Sequence, residues 1–350
     1  MTGEREIFKG AVIGLGFIGA GDELSGRAIG QDVRNLDGTH AQAMANNPHI
    51  NLIAGASRDE ERRCRFQQKF QDARVYSDWR EMIEVEKPDI VSIATHAPSH
   101  AEITIGCAQS GVRAILCEKP MATKLSDADR MLEVCERYHT ILAINHSRRW
   151  NKFWQNYREQ IQSGVIGRTQ HACVHWQTGR LGNIGTHIFD ALRMLTGQQP
   201  VAVSGSLDPT LYPDCRGLQY KDYGGWGIII FSDGMRAFID APQTGLFPLV
   251  VKITGDRGEI IIQNKEAGIH FWQGGSQEIL PEPGNKTALD NAMEDIVSCL
   301  VESKVPACTG KDGLIALEVI IGFHVSHRLG GKWIDLPIKG NDRNFEVMMA

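Results

Sequence analysis

A chain of 350 residues exceeds what a single hydrophobic core usually organises, so two domains are expected. Hydrophobic residues make up 42% and charged residues 23%, the balance of an ordinary globular protein. The net charge of −5, with no run of Lys or Arg, excludes the basic footprint of a nucleic-acid or membrane-surface binder. No apolar run approaches membrane-spanning length, and residues 1–6 lack the layout of a signal peptide. The eight cysteines show no C-x-x-C spacing and read as free thiols of a reducing cytoplasm.

In chain order, residues 8–13 form an apolar strand that runs straight into Gly14-Leu15-Gly16-Phe17-Ile18-Gly19. This G-x-G-x-x-G directly after a strand is the spacing of a dinucleotide-binding turn. Gly14 allows the sharp turn, Gly16 lets backbone approach a pyrophosphate, and Gly19 allows close packing beyond it. Residues 20–38, rich in glycine and polar side chains, read as an inserted loop. Such a loop is either a neutral surface excursion or a cover over cofactor or substrate. Helices are expected at residues 39–46, 59–70, 77–85, 99–110 and 126–138, with Asp59 and Ser126 as caps. They alternate with strands at residues 50–56, 89–94, 113–117 and 140–145. This alternation predicts an α/β Rossmann domain with a doubly wound parallel sheet over residues 1–145.

Beyond residue 145 the texture changes. Helices at 150–162 and 184–195 flank a strand at 168–177, and strands follow at 201–207, 226–231, 235–241, 249–254, 259–263 and 269–272. Residues 146–350 are therefore expected to form an α+β domain with an open, mostly antiparallel sheet. Its closing helices, 288–302 and 313–329, are expected to pack back on the first domain.

Chemistry gathers at two places. Strand 113–117 ends in Glu118-Lys119-Pro120, and carboxyl ends of strands line the ligand crevice of such sheets, so Lys119 should face it. In Gly182-Asn183-Ile184-Gly185-Thr186-His187, Asn183 and His187 are four apart and share a face if helical. An imidazole titrates near neutrality and can carry a hydroxyl proton.

These motifs together resemble the glucose–fructose oxidoreductase/inositol dehydrogenase (Gfo/Idh/MocA) family: the early glycine turn, Glu118-Lys119-Pro120, and the G-x-H-x-x-D of Gly185, His187 and Asp190. Gly255-Asp256-Arg257-Gly258 and the closing Gly331-Lys332-Trp333 also fit. The resemblance implies NAD(P)-dependent oxidation or reduction of sugars and polyols, by homodimers or homotetramers joined through the open sheet. It implies that Lys119 contacts the reacting hydroxyl and the nicotinamide ribose, and that His187 is the general acid/base. Asn183 stands where many relatives carry Asp, which an amide replaces only as a substrate ligand and orienter. Thr95, His96, Pro98 and His100 align with a loop near the nicotinamide, beside Glu118.

Directly after the second strand stand Ser57 and Arg58 in place of an acid, which favours NADP over NAD. Candidate substrate contacts are His146, Arg148, Arg149, Trp150 and Trp176, as aromatic faces suit sugar C–H groups and polar groups suit hydroxyls. No metal site is expected. Two other readings stay open: a redox-neutral glycoside-processing enzyme with retained cofactor, and a non-catalytic dinucleotide and sugar sensor.

Overall fold

In the computed structural model, which describes residues 6–210, 214, 216–245, 247–263, 266–279 and 286–349, the chain divides into two units. The first takes residues 1–122, 127–150 and 285–313, the second residues 123–126, 151–284 and 314–350.

The first unit runs β1 (Phe8–Ile13), α1 (Phe17–Ala20), α2 (Glu23–Ala28), α3 (His40–Asn46), β2 (Ile50–Ala56), α4 (Glu60–Lys69) and β3 (Arg74–Tyr76). It continues through α5 (Trp79–Glu86), β4 (Ile90–Ile93), α6 (His100–Gln109), β5 (Ala114–Cys117), α7 (Leu125–Arg137) and β6 (Ile141–Ile144). All six strands are parallel in the order β3-β2-β1-β4-β5-β6. The doubly wound Rossmann expectation therefore holds. Every residue of β4 and β5 is buried, as a sheet covered on both faces requires. The order reverses between β1 and β4, and ligands of such sheets bind beyond the carboxyl ends at that point.

Three local expectations change. β3 has only three residues and no wholly buried one, too little apolar pattern to be predicted. Ser126 lies inside α7, which starts at Leu125, whereas Asp59 does cap α4 by accepting the Arg62 N–H. Residues 20–38 are not a bare loop: they hold α2 and a 3₁₀ turn, Val33–Asn35, each capped by an aspartate.

The second unit contains α8 (Lys152–Gln162), β7 (Thr169–His175), α9 (Gly185–Thr196), β8 (Pro200–Leu207), β9 (Gly225–Phe231) and β10 (Arg236–Ala241). Next come β11 (Val250–Gly255), β12 (Gly258–Gln263), β13 (Glu266–Phe271) and β14 (Ser276–Ile279). The chain then runs through α10 (Ala288–Glu302), which belongs to the first unit, to α11 (Gly310–Arg328) and β15 (Ile334–Asp335). The nine-stranded sheet has the order β14-β13-β12-β11-β7-β10-β9-β8-β15. Among the described residues only the β7–β10 pairing of this sheet is parallel, so the sheet is mostly antiparallel, as expected. β14 and β15 went unpredicted because one is polar and the other two residues long. Trp176 meets Phe189 of α9 edge-on at 6.3 Å, and Phe189 stacks on Phe323 of α11 at 5.8 Å. Those rings seat α9 in the core.

Candidate functional site

The first unit presents one functional edge. The parallel strands end together, which aligns Gly14 after β1, Thr95 after β4, and Glu118 with Lys119 after β5. Gly14 has φ +98°, and a Cβ there would lie 2.6 Å from the Ala94 carbonyl. A Cβ on Gly19 would lie 1.8 Å from the Gly14 carbonyl. Any side chain at either position would break the turn. Gly16 differs, because the nearest atom to an added Cβ is Arg62 Nη1 at 3.6 Å. Bare backbone followed by Phe17 and Ile18 of α1, open on one side and overlooked by a guanidinium, fits a pyrophosphate. Arg62 was not anticipated, since nothing in its local sequence marks it. At the end of β2, Arg63 donates to the carbonyls of Ser57 (2.7 Å) and Arg58 (3.1 Å), which fixes that backbone while the Arg58 side chain stays exposed.

Thr95 is half-buried and its hydroxyl accepts from Ser99 at 2.8 Å, whereas His96 and Pro98 are exposed. His100 is wholly buried, with Nδ1 2.9 Å from the Pro120 carbonyl and Nε2 3.0 Å from the Thr95 carbonyl. It ties the segment after β4 to the cis Lys119–Pro120 peptide and does not itself reach an open surface.

Glu118 organises this edge. Its buried carboxylate accepts His40 Nε2 at 2.9 Å, Asn145 Nδ2 at 2.6 Å and the Lys119 N–H at 3.3 Å. The second His40 nitrogen meets the Ser92 hydroxyl at 3.0 Å. Burial raises the Glu118 pKa, but His40, Lys119 and Asn145 together outweigh it and hold the group down to about 2. His40 was unforeseen because its partner lies 78 residues away in sequence.

The second unit places His187 on the first turn of α9. From Gly185 to Leu195 every residue is buried except His187 and Arg193, so the imidazole is the titratable group that this end of the helix presents. Asn183 precedes the helix, in a turn closed by Ile184 N–H to Arg180 O at 2.9 Å, so the expected shared helical face is replaced by a turn. Thr178, Gly179 and Arg180 all have positive φ, at 67°, 57° and 61°. For a β-branched threonine that conformation is strained. Leu181 N–H to Tyr223 O at 2.8 Å and Gly179 N–H to Pro242 O at 2.9 Å hold the bend.

Asp222 anchors its exit. The buried carboxylate accepts the N–H groups of Gly182 and Asn183, each at 2.7 Å. Burial pushes its pKa up to about 6, opposed by those two bonds and Arg180 and reinforced by Asp214. It lies in an irregular loop, where no periodicity could single it out.

The remaining expected substrate contacts are placed differently. Trp150 is 2% exposed and donates Nε1 to Asp295 at 2.9 Å; Trp176, also 2% exposed, donates to the Gly179 carbonyl at 2.6 Å. Both are packing residues with no free face for a sugar, which corrects their expected role. Arg149 pairs with Asp312 at 3.3 Å and donates to the Ala307 carbonyl. His146 is buried and Arg148 half-buried. Among the described residues no group of three or more His, Cys, Asp or Glu is placed to hold a metal ion, and no helix is long and apolar enough to cross a membrane.

A carboxylate held below its ordinary pKa contributes stability above about 4.5 and loses it as pH falls toward 2. Glu118→Gln is therefore expected to destabilise the protein by on the order of 3 kcal/mol at pH 7, and by less at pH 3.5. Urea midpoints at the two pH values check this; an equal deficit at both would refute the assignment.

Comparison with known proteins agrees with this geometry. Residues 8–146 match the oxidoreductase family model described as an NAD-binding Rossmann fold, and residues 168–336 match the C-terminal alpha/beta domain of the same family. The chain is 31% identical to a D-apiose dehydrogenase of Paraburkholderia graminis, over 92% of this chain and 88% of that protein. A myo-inositol 2-dehydrogenase of Thermotoga maritima is 30% identical over 31% of this chain and 32% of its own. Among solved structures, a levoglucosan dehydrogenase in complex with NADH and levoglucosan superposes with a TM-score of 0.80 at 20% identity, covering 95% of this chain and 100% of that one. An aldose-aldose oxidoreductase from Caulobacter crescentus, complexed with glycerol, gives 0.78 at 21% identity with the same coverage. The chain belongs to the Gfo/Idh/MocA family of NAD(P)-dependent sugar and polyol oxidoreductases.

Proposed function

We propose that the protein is a dehydrogenase or reductase acting on a hydroxyl-bearing carbon of a sugar, polyol or sugar derivative. The observation that carries this reading is Lys119, an amine at the carboxyl end of β5 on the edge shared with the glycine turn. Its backbone is held by the Glu118 carboxylate. A nicotinamide dinucleotide in the glycine cradle supplies the hydride acceptor or donor. Lys119 holds the reacting oxygen and offsets the negative charge that develops on it. His187 takes the hydroxyl proton during oxidation and returns it during reduction. The Asn183 amide orients the substrate, with its backbone fixed by Asp222.

Lys119→Ala and His187→Ala should each lower kcat by about 10²–10⁴-fold, the usual worth of a positioned proton or charge-stabilising group. The dinucleotide Kd should change far less. Steady-state kinetics with fluorescence titration of the dinucleotide checks both, and near-normal turnover in either variant overturns the roles.

For the cofactor, the exposed Arg58 after β2 and the absence of an acid there support NADP. A charge-assisted bond to a 2′-phosphate is worth about 1.5–3 kcal/mol, so Arg58→Ala should cost NADP at least about tenfold in kcat/KM and spare NAD. A wild-type preference for NAD would remove Arg58 from this role.

The open face of the nine-stranded sheet supports a homo-oligomer. Trp226 of β9 is 61% exposed and Phe238 of β10 is 39% exposed on that face, with the half-buried Ile228 opposite Phe238 and the half-buried Ile230 two residues further along β9. A second copy covering these side chains removes them from water. Sedimentation should report a dimer or tetramer, and Phe238→Lys should shift it toward monomer; a monomeric wild type would end this reading.

A further inference from the structure

The segment that lengthens the first unit between α1 and α3 is pinned at both ends. At its start, buried Asp22 caps α2 through the Ser25 N–H at 3.2 Å. The same carboxylate takes Arg65 Nε at 2.7 Å and Nη2 at 3.2 Å from α4. Burial raises the Asp22 pKa, but Arg65 and Ser25 outweigh that and lower it, so the anchor is charged at neutral pH. At its end, Asp37 accepts the N–H of Ala288, the first residue of α10, at 3.0 Å. A segment fixed this way is a wall and not a loose flap.

Together with Phe17, residues of that segment line an open cavity of about 620 Å³, within the range of about 300–1,000 Å³ typical of small-molecule sites. Phe17 and Leu36 supply its apolar lining; Arg27, Gln31, Asp32 and Asn35 supply its polar lining. The charges are matched locally. Arg34 Nε binds both Asp32 carboxylate oxygens at 3.0 Å, and Arg27 pairs with Glu23 at 3.3 Å. With the cations and anions paired, the cavity carries no excess charge for a phosphate or carboxylate. Gln31 and Asn35 are exposed amides, each with donors and an acceptor, beside a phenyl ring and a leucine. Hydroxyl groups with intervening C–H faces match that set. Phe17 directly follows Gly16, so the cavity's lining begins at the glycine turn.

We propose that residues 20–38 form a substrate-selecting wall, whose cavity binds the hydroxyl groups of a neutral sugar or glycoside remote from the reacting carbon. The proposal rests on the dehydrogenase reading above and adds to it the segment that chooses the substrate. Neither the glycine turn nor Lys119 and His187 would set that choice.

The test uses the full chain with Gln31→Ala plus Asn35→Ala, and separately the isosteric Asn35→Asp. With the best neutral sugar of a monosaccharide, polyol and methyl glycoside panel, KM should rise about tenfold or more in the double variant, the worth of one or two lost hydrogen bonds. The NAD(P)H Kd, read by fluorescence titration, should stay within about twofold of wild type. Asn35→Asp should raise KM in the same direction. An unchanged KM overturns the proposal, and so does a parallel rise in the dinucleotide Kd, which would assign the cavity to the cofactor. If wild type turns over no sugar, the dehydrogenase reading fails, and saturation-transfer NMR with myo-inositol and methyl α-D-glucoside decides the cavity. Signals lost in the double variant sustain the wall; no signal from wild type overturns it.

Discussion

A carboxylate taken out of water must be met by donors or lose its charge, and Glu118 is where this protein meets that demand most fully. Its partners come from α3, from the end of β6 and from the next residue of its own chain. One side chain thus fixes the relation of a helix, two strand ends and the backbone of Lys119. Breaking one partner would leave a buried charge unmatched, so the elements around the sheet edge are held as a set.

Asp222 performs the corresponding task in the second unit with a different electrostatic outcome. It accepts two backbone N–H groups but has the opposing influences of Arg180 and Asp214 around it. Burial prevails there and its pKa rises, whereas at Glu118 the donors prevail and it falls. In both places the carboxylate grips backbone immediately beside a residue proposed for chemistry. The strained run Thr178 to Arg180 is bearable because backbone bonds to Tyr223 and Pro242 hold it on one side and Asp222 on the other. Precision at Asn183 and His187 is therefore a property of the surrounding loops and not of α9 alone.

The long segment after the glycine turn shows how a surface excursion becomes part of an ordered unit. Two aspartates near its ends reach partners in α4 and α10, so the entropy of ordering it is offset by charge-assisted bonds and caps. Between the anchors, Gln31 and Asn35 are exposed and take no part in the sheet.

Much of the architecture was legible in order of occurrence. Parallel strands buried on both faces must be apolar runs, and β1, β2, β4, β5 and β6 announce themselves that way. The glycine turn is legible too, because backbone approach and φ > 0 demand glycine at fixed spacing. Lys119 and His187 are proposed from motif position. By contrast, β3, β14 and β15 carry too little apolar pattern to be seen, and α2 hid within a glycine-rich polar stretch. Trp150 and Trp176 look like sugar platforms in sequence because an aromatic residue does not state which way it faces. Their indole donors and burial are settled by partners far along the chain. His40, Arg62 and Asp222 were invisible for the same reason: a buried charge and its donors meet only when the sheet and loops close. Local pattern determined the elements, the cofactor turn and the family's chemistry. Tertiary packing decided which polar groups are anchors and which are left exposed, because solvation depends on neighbours that sequence order does not reveal.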